Sequence, residues 1–178
     1  MKLLFLNFLL SSFLWCQITI IHAGKLICGT SKEIKHVYSI LIEKDKIIDV
    51  VEGYVDPGDG DQQIDLNNYT VIPGLMDMHV HLSGESNPKK YMDRFTMNLD
   101  DYAYQSIPYA EKTLMAGFTT VRDLGGPINT SLKKAVEKGQ VIGPRIFSAG
   151  KALATTGGHA DPTNGMSFLL AGDPGPKQ

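Results

Sequence analysis

The chain has 178 residues, of which 43% are hydrophobic and 20% are charged; this length is usual for one domain, and the composition excludes wholesale disorder. The formal net charge of −2 at pH 7 leaves no basic stripe to neutralise phosphates, so no nucleic-acid partner is expected. The two cysteines, Cys16 and Cys28, are too few for a disulfide framework.

The first sixteen residues have the pattern of a secretory signal peptide. Lys2 supplies a positive charge, and residues 3–15 are apolar apart from one asparagine and two serines. This run is too short for a stable membrane span, which needs roughly 20 apolar residues. We therefore predict that residues 1–16 are a signal peptide, cleaved after Cys16, and that the protein is secreted or periplasmic. An uncleaved anchor and a misassigned start codon are the alternatives.

Residues 17–72 are predicted to form short β-strands joined by turns. The polar segment 43–46 separates two β-rich runs and predicts a hairpin turn. The acidic loop 56–61 lacks the spacing of an EF-hand, so a solvated turn is favoured over a calcium site. His22 and His36 have no partner at ligand spacing, and we predict structural or surface roles for both. The β-rich runs span residues 18–21, 37–43, 46–51, 64–66 and 69–72.

Two histidines with one residue between them end the stretch V-I-P-G-L-M-D-M-H-V-H-L at residues 71–82. Side chains alternate faces along a strand, so His79 and His81 should project together, with Asp77 one step back on the same face. Neutral imidazole nitrogens are good zinc ligands, and the pair therefore indicates a divalent-metal site. Taken alone, an H-x-H pair is more often two surface or core histidines.

The rest of the chain alternates helical and strand-like segments. Residues 98–117 have apolar positions at helical spacing, but Pro108 cannot donate a backbone hydrogen bond. We therefore predict a break near Ser106, which would cap a second helix that Gly117 ends. This order predicts a parallel α/β sheet. The later predicted elements are a strand at 118–124, a helix at 130–138 and a strand at 145–149.

Two further groups of polar residues lie at or after strand ends. Arg122 and Asp123 end the second strand of this sheet and could reach the metal site, but we predict that they form a structural ion pair. The sequence Gly157-Gly158-His159 follows the third strand. Two glycines let the backbone turn sharply and approach a ligand closely. An isolated G-G-H is nevertheless more often a surface loop than a binding site.

The string P-G-L-M-D-M-H-V-H at residues 73–81 resembles the first-strand signature of the metal-dependent amidohydrolase superfamily. The resemblance implies an α/β fold in which residues 71–178 form the first three βα units of a (β/α)8 TIM barrel. It also implies that residues 17–70 form part of a small β-sandwich. His79 and His81 would bind the catalytic divalent metal, with zinc as the default.

The G-G-H sequence is similar to that of the branch that includes imidazolonepropionase-like enzymes and Xaa-Pro dipeptidases. This resemblance gives His159 a substrate-binding role beside the metals. It also implies a carboxylated lysine, two more histidines and a general-base aspartate on later barrel strands, which would lie beyond residue 178. No catalytic residue is therefore assigned within the chain.

The resemblance predicts the N-terminal part of a secreted, metal-dependent amidohydrolase. The whole enzyme would hydrolyse amide-type C–N bonds of a small-molecule or dipeptide substrate, such as an Xaa-Pro dipeptide, through a metal-activated water. The chain alone is expected to be inactive, since it lacks several ligands. A cyclic amidohydrolase or deaminase of the same superfamily is the alternative among enzymes. The alternative that is not an enzyme is a short, non-catalytic binding protein.

Overall fold

A computed structural model of the protein describes residues 17–88, 92–93 and 96–150. The chain divides into two compact units, Met1–Pro73 and Gly74–Gln178. The predicted signal peptide and His159 lie outside the described residues. No helix in the described part is long and apolar enough to cross a membrane. The first unit contains strands β1 (Ile18–Leu26), β2 (Lys35–Glu43), β3 (Lys46–Glu52) and β4 (Gln62–Val71).

The four strands of the first unit form one sheet in the order β3-β2-β1-β4. The β2–β3 pair is antiparallel, and a two-residue turn at Lys44-Asp45 connects the strands. Lys44 has a φ of 57°, the left-handed conformation that tight hairpin turns need. The predicted hairpin is confirmed. The core of this sheet is formed by Ala23, Leu26 and Ile40, whereas the predicted sandwich stays a prediction.

Two buried polar side chains hold the segment after β3 against this sheet. The His22 ring donates from Nε2 to the carbonyl oxygen of Val55 at 2.9 Å and stacks on Tyr54 with 4.6 Å between ring centres. Ser39 Oγ donates to the carbonyl oxygen of Gly53 at 2.8 Å and accepts from the Val55 N–H at 3.0 Å. His22 therefore has the structural role that the sequence predicted.

The second unit is a three-stranded parallel sheet in the order β5-β6-β7, with two helices. Strands and helices alternate along the chain, which confirms the predicted parallel α/β arrangement; closure into a barrel stays a prediction. The apolar core of this unit comprises Leu82, Ala110, Val121, Ile128, Leu132 and Ile146. The elements are β5 (Leu75–Val80), α1 (Leu99–Met115), β6 (Phe118–Asp123), α2 (Asn129–Glu137) and β7 (Arg145–Ser148).

Helix α1 is continuous through Pro108, so the predicted break near Ser106 is wrong. Pro108 lies on the exposed side of the helix, where its ring displaces no packed side chain. Tyr104, whose carbonyl loses its usual helical donor, is 73% exposed. Ser106 is buried inside the helix, and its Oγ donates to the carbonyl oxygen of Ala103 at 2.6 Å. Gly117 follows the helix with a φ of +94°, as predicted.

Candidate metal centre

Two histidines lie together at the carboxyl end of β5. His79 is in the strand and His81 directly follows it; both are exposed. Their ring centres are 5.5 Å apart, and the ring planes meet at 72°. The structure thus confirms that the two side chains project together. Their role as metal ligands stays a prediction.

An irregularity in the β5–β6 pairing precedes these histidines. Asp77 pairs with Val121 and Val80 pairs with Asp123, so β5 has one more residue than β6 over this interval. Extra residues of this kind change the direction of side chains and occur often beside active sites. The Asp77 carboxylate accepts the backbone N–H of His79 at 2.9 Å. The irregular backbone therefore has a local hydrogen-bond partner.

Arg122 supplies a second contact to this irregular segment. Its Nε donates to the carbonyl oxygen of Met78 at 3.0 Å. The predicted ion pair between Arg122 and Asp123 is wrong, because the two side chains have other partners and neither takes part in the ion pairs of the described residues. Adjacent strand residues face opposite sides of a sheet, which explains why they do not pair.

The His81 ring is oriented by a carbonyl group from the loop after β6. Its Nδ1 lies 2.7 Å from the carbonyl oxygen of Gly125. A carbonyl oxygen only accepts, so Nδ1 carries the hydrogen, and Nε2 of the neutral ring keeps its lone pair. Metal-binding histidines commonly make such a bond through the nitrogen that does not bind the metal. This arrangement suits a ligand role for Nε2.

Asp123, for which the sequence favoured an ion pair with Arg122, is a fully buried carboxylate with other partners. Its relative exposure is 0%. Its oxygens accept from the backbone N–H groups of Leu82 and Gly125, both at 3.0 Å, and from Nδ2 of Asn129 at 3.3 Å. One feature of the sequence could have indicated this backbone bonding: Asp123 ends a strand and Gly125 follows two residues later. Aspartate side chains often accept the backbone N–H two residues on.

The residues present fit part of a divalent-metal site. Two imidazoles that bind one zinc at ~2.1 Å have ring centres about 5 Å apart, and the observed 5.5 Å is compatible with a shared ion. Among residues 17–88, 92–93 and 96–150, no group of three or more His, Cys, Asp or Glu side chains could hold a metal. Asp77, which the sequence placed on the same face of the strand, therefore does not form a three-residue metal group with the two histidines.

A cavity of about 480 Å³ with both polar and apolar lining lies beside His81. Glu85, Gln105 and Tyr109 are among the side chains that line it. Gln105 Nε2 donates to the carbonyl oxygen of Ser83 at 2.8 Å, which joins helix α1 to the loop after β5. The cavity has the mixture of aromatic and polar groups that small-molecule sites use.

Comparison with known proteins identifies relatives of both the sequence and the fold. Residues 70–173 match the model of the Amidohydrolase family. Ochratoxinase from Aspergillus niger is 30% identical over an alignment of 156 positions, and the match covers 82% of this chain and 30% of that protein. The chain thus spans about 30% of the length of the curated relatives that it matches.

Solved structures give the same family relationship. A Xaa-Pro dipeptidase crystallised with methionine in its active site is 45% identical, with a TM-score of 0.78 over 84% of this chain and 37% of that one. A prolidase bound to N-methylphosphonate-L-proline is 32% identical, with a TM-score of 0.72 over 87% of this chain and 40% of that one. This chain belongs to the amidohydrolase family.

Proposed function

We propose that this chain supplies part of the active site of a metal-dependent amidohydrolase that hydrolyses amide-type C–N bonds. The observation that carries the proposal is the pair of adjacent imidazoles at the carboxyl end of β5, with His81 oriented through its Nδ1. Active-site groups of parallel α/β folds lie at this end of the strands. A purely structural histidine has no need to remain exposed there.

His79 and His81 would hold the ion, and His81 would use its Nε2. A bound divalent ion polarises the scissile carbonyl and provides a nucleophilic water at neutral pH. Zinc is the default because imidazole suits it, although other first-row metals bind imidazole as well. His159 is proposed to bind substrate beside this site. Residues 1–178 alone should not turn over substrate, because two histidines do not complete a catalytic metal site.

Xaa-Pro dipeptides are the proposed substrate class. The 45% identity to a Xaa-Pro dipeptidase and the 32% identity to a prolidase support this choice over the cyclic amides of the alternative hypothesis. The proposed location is secreted or periplasmic, on the basis of residues 1–16. N-terminal sequencing of the natural gene product should give Gln17 as the first residue.

The function is tested on the natural gene product rather than on an excised piece. We expect hydrolysis of Xaa-Pro dipeptides that stops when a chelator removes the metal and returns when zinc is added. A preference for ring amides would instead favour a cyclic amidohydrolase or deaminase. Absence of chelator-sensitive hydrolysis of both substrate classes would contradict the proposal and favour a non-catalytic binding protein.

A further inference from the structure

We infer that Asp123 is the positioning residue for His81, setting the orientation and tautomer of its ring through the two loops that flank it. The inference deepens the proposed metal-binding role of His81 and rests on that role for its functional consequence. Asp123 itself touches neither imidazole ring. Its effect would be transmitted by backbone groups.

The first step is the chemistry of the Asp123 site. A fully buried carboxylate is stable only where donors replace water, and three donors surround this one. Oδ2 accepts the Leu82 N–H, and Oδ1 accepts the Gly125 N–H together with Asn129 Nδ2. An ionised carboxylate is acceptor-only, so all three donors can be satisfied at once. A neutral amide in its place would direct an N–H group at one of these donors.

The second step connects these donors to His81. Leu82 directly follows His81, so its bond to Asp123 fixes the backbone on one side of the imidazole. Gly125 supplies both the N–H that Asp123 accepts and the carbonyl oxygen to which His81 Nδ1 donates. The carboxylate thus holds the residue next to the ring and the residue that orients the ring. The bond between Leu82 and Asp123 joins residues 41 positions apart in sequence.

The third step is the close packing of the two loops. Gly125 has a φ of +125°, a conformation that favours glycine, and the direction of its carbonyl depends on it. A Cβ at Gly126 would lie 2.6 Å from Ser83 Oγ, so the loop after β6 lies close against the loop after β5. A small displacement of one loop should therefore displace the other loop as well.

The test compares the wild-type natural gene product with its Asp123→Asn variant, both without metal. Long-range proton–nitrogen NMR spectra of histidine-labelled protein report which ring nitrogen of His81 carries the hydrogen. A His81→Asn variant assigns the signal. We expect the Nδ1–H tautomer in the wild type and a mixture of tautomers in Asp123→Asn. Zinc affinity should fall about 10–100-fold, the range typical for loss of an outer-shell partner.

Two further variants serve as controls. Asp65 in the first unit accepts the N–H of Asn67, two residues on, at 3.0 Å, which matches the bond between Asp123 and Gly125. Asp65→Asn should leave the His81 signal and zinc affinity unchanged. Asn129→Ala removes the side-chain donor to Asp123 together with the acceptor of the Thr130 N–H. It should change both readouts in the same direction, with a loss of affinity below about 10-fold.

The outcomes separate the positioning role from the proposed function. An unchanged His81 signal and zinc affinity in folded Asp123→Asn would overturn the positioning role. If circular dichroism shows that Asp123→Asn does not fold, Asn129→Ala takes its place as the test. An unchanged His81 signal and zinc affinity in Asn129→Ala would then overturn the positioning role. A tautomer change in a protein that never binds zinc would support positioning and reject the metal site. If the wild type binds zinc and Asp123→Asn changes neither the zinc affinity nor the His81 signal, the metal site is supported and the positioning role is rejected.

Discussion

His22 and His81 make the same kind of bond in different units of the molecule, with opposite consequences. Each ring donates to a backbone carbonyl oxygen, at 2.9 Å for His22 and 2.7 Å for His81. The His22 residue is only 7% exposed and its ring is stacked on Tyr54, whereas His81 is exposed at a strand end. The bond of His22 completes the packing of a sheet. The bond of His81 orients a ring whose other nitrogen remains suited to a ligand.

The largest effect should come from His81→Asn. We expect metal content and hydrolysis by the natural gene product to fall by more than the roughly 100-fold that loss of an outer-shell partner can cause. The free energy of unfolding of the metal-free protein should change little, since the side chain is exposed. Elemental analysis measures the metal, and His36→Asn, an exposed histidine of the first unit, is the matched control. Full metal content in His81→Asn would contradict the metal-binding role of His81 and its contrast with the structural role of His22.

His22→Ala should have the opposite profile. Loss of a buried ring and of its bond to the Val55 carbonyl should lower the free energy of unfolding by about 3 kcal/mol. Metal content should equal that of the wild type. Denaturant titration measures the stability. A loss of metal in folded His22→Ala would show that the two histidines are not functionally distinct.

Ser39→Ala tests the same structural role with a smaller change. The hydroxyl makes two hydrogen bonds, to Gly53 and Val55, and its removal leaves both backbone groups without this partner. We expect a loss of about 2 kcal/mol in the free energy of unfolding. Ser31→Ala removes an exposed hydroxyl that accepts one longer bond, at 3.3 Å. Equal effects of the two serine variants would contradict a special role for the buried hydroxyl.

The smallest effect should come from Lys112→Ala in the second unit. Lys112 Nζ lies 2.7 Å from Glu85 Oε1, and this hydrogen bond raises the pKa of Lys112 above its ordinary value of 10.5. A raised lysine pKa stabilises the fold below pH 10.5 and loses that effect as the pH rises through the raised pKa. Solvent screens this exposed pair, so thermal unfolding at pH 7 should not change measurably. A clear loss of stability in low salt would contradict this expectation.

Local patterns in the sequence were sufficient for several elements. The hairpin of β2 and β3 follows from two β-rich runs with a polar turn between them, and the turn at Lys44-Asp45 forms as predicted. The adjacency of His79 and His81 follows from the short spacing between them. Each of these features depends on residues that are close in sequence.

Other features depended on contacts that a local pattern does not encode. Pro108 is compatible with α1 because the packing of the helix leaves that position exposed, and no spacing rule specifies which side packs. The partners of Asp123 include a backbone group 41 residues away. The sequence alone therefore could not distinguish this backbone bonding from an ion pair with Arg122. In both cases the neighbours in space differ from the neighbours in sequence.

The sequence by itself determined the alternation of strand and helical segments in the second unit and the pair of histidines at the end of β5. Hydrophobic periodicity and turn composition are local properties that depend on residues close in sequence. Only the tertiary structure decided how the His81 ring is held. The ring is bonded to the carbonyl oxygen of Gly125, and the N–H of Gly125 is bonded to the buried carboxylate of Asp123. The Gly125 carbonyl reaches the ring only when β5 and β6 lie side by side.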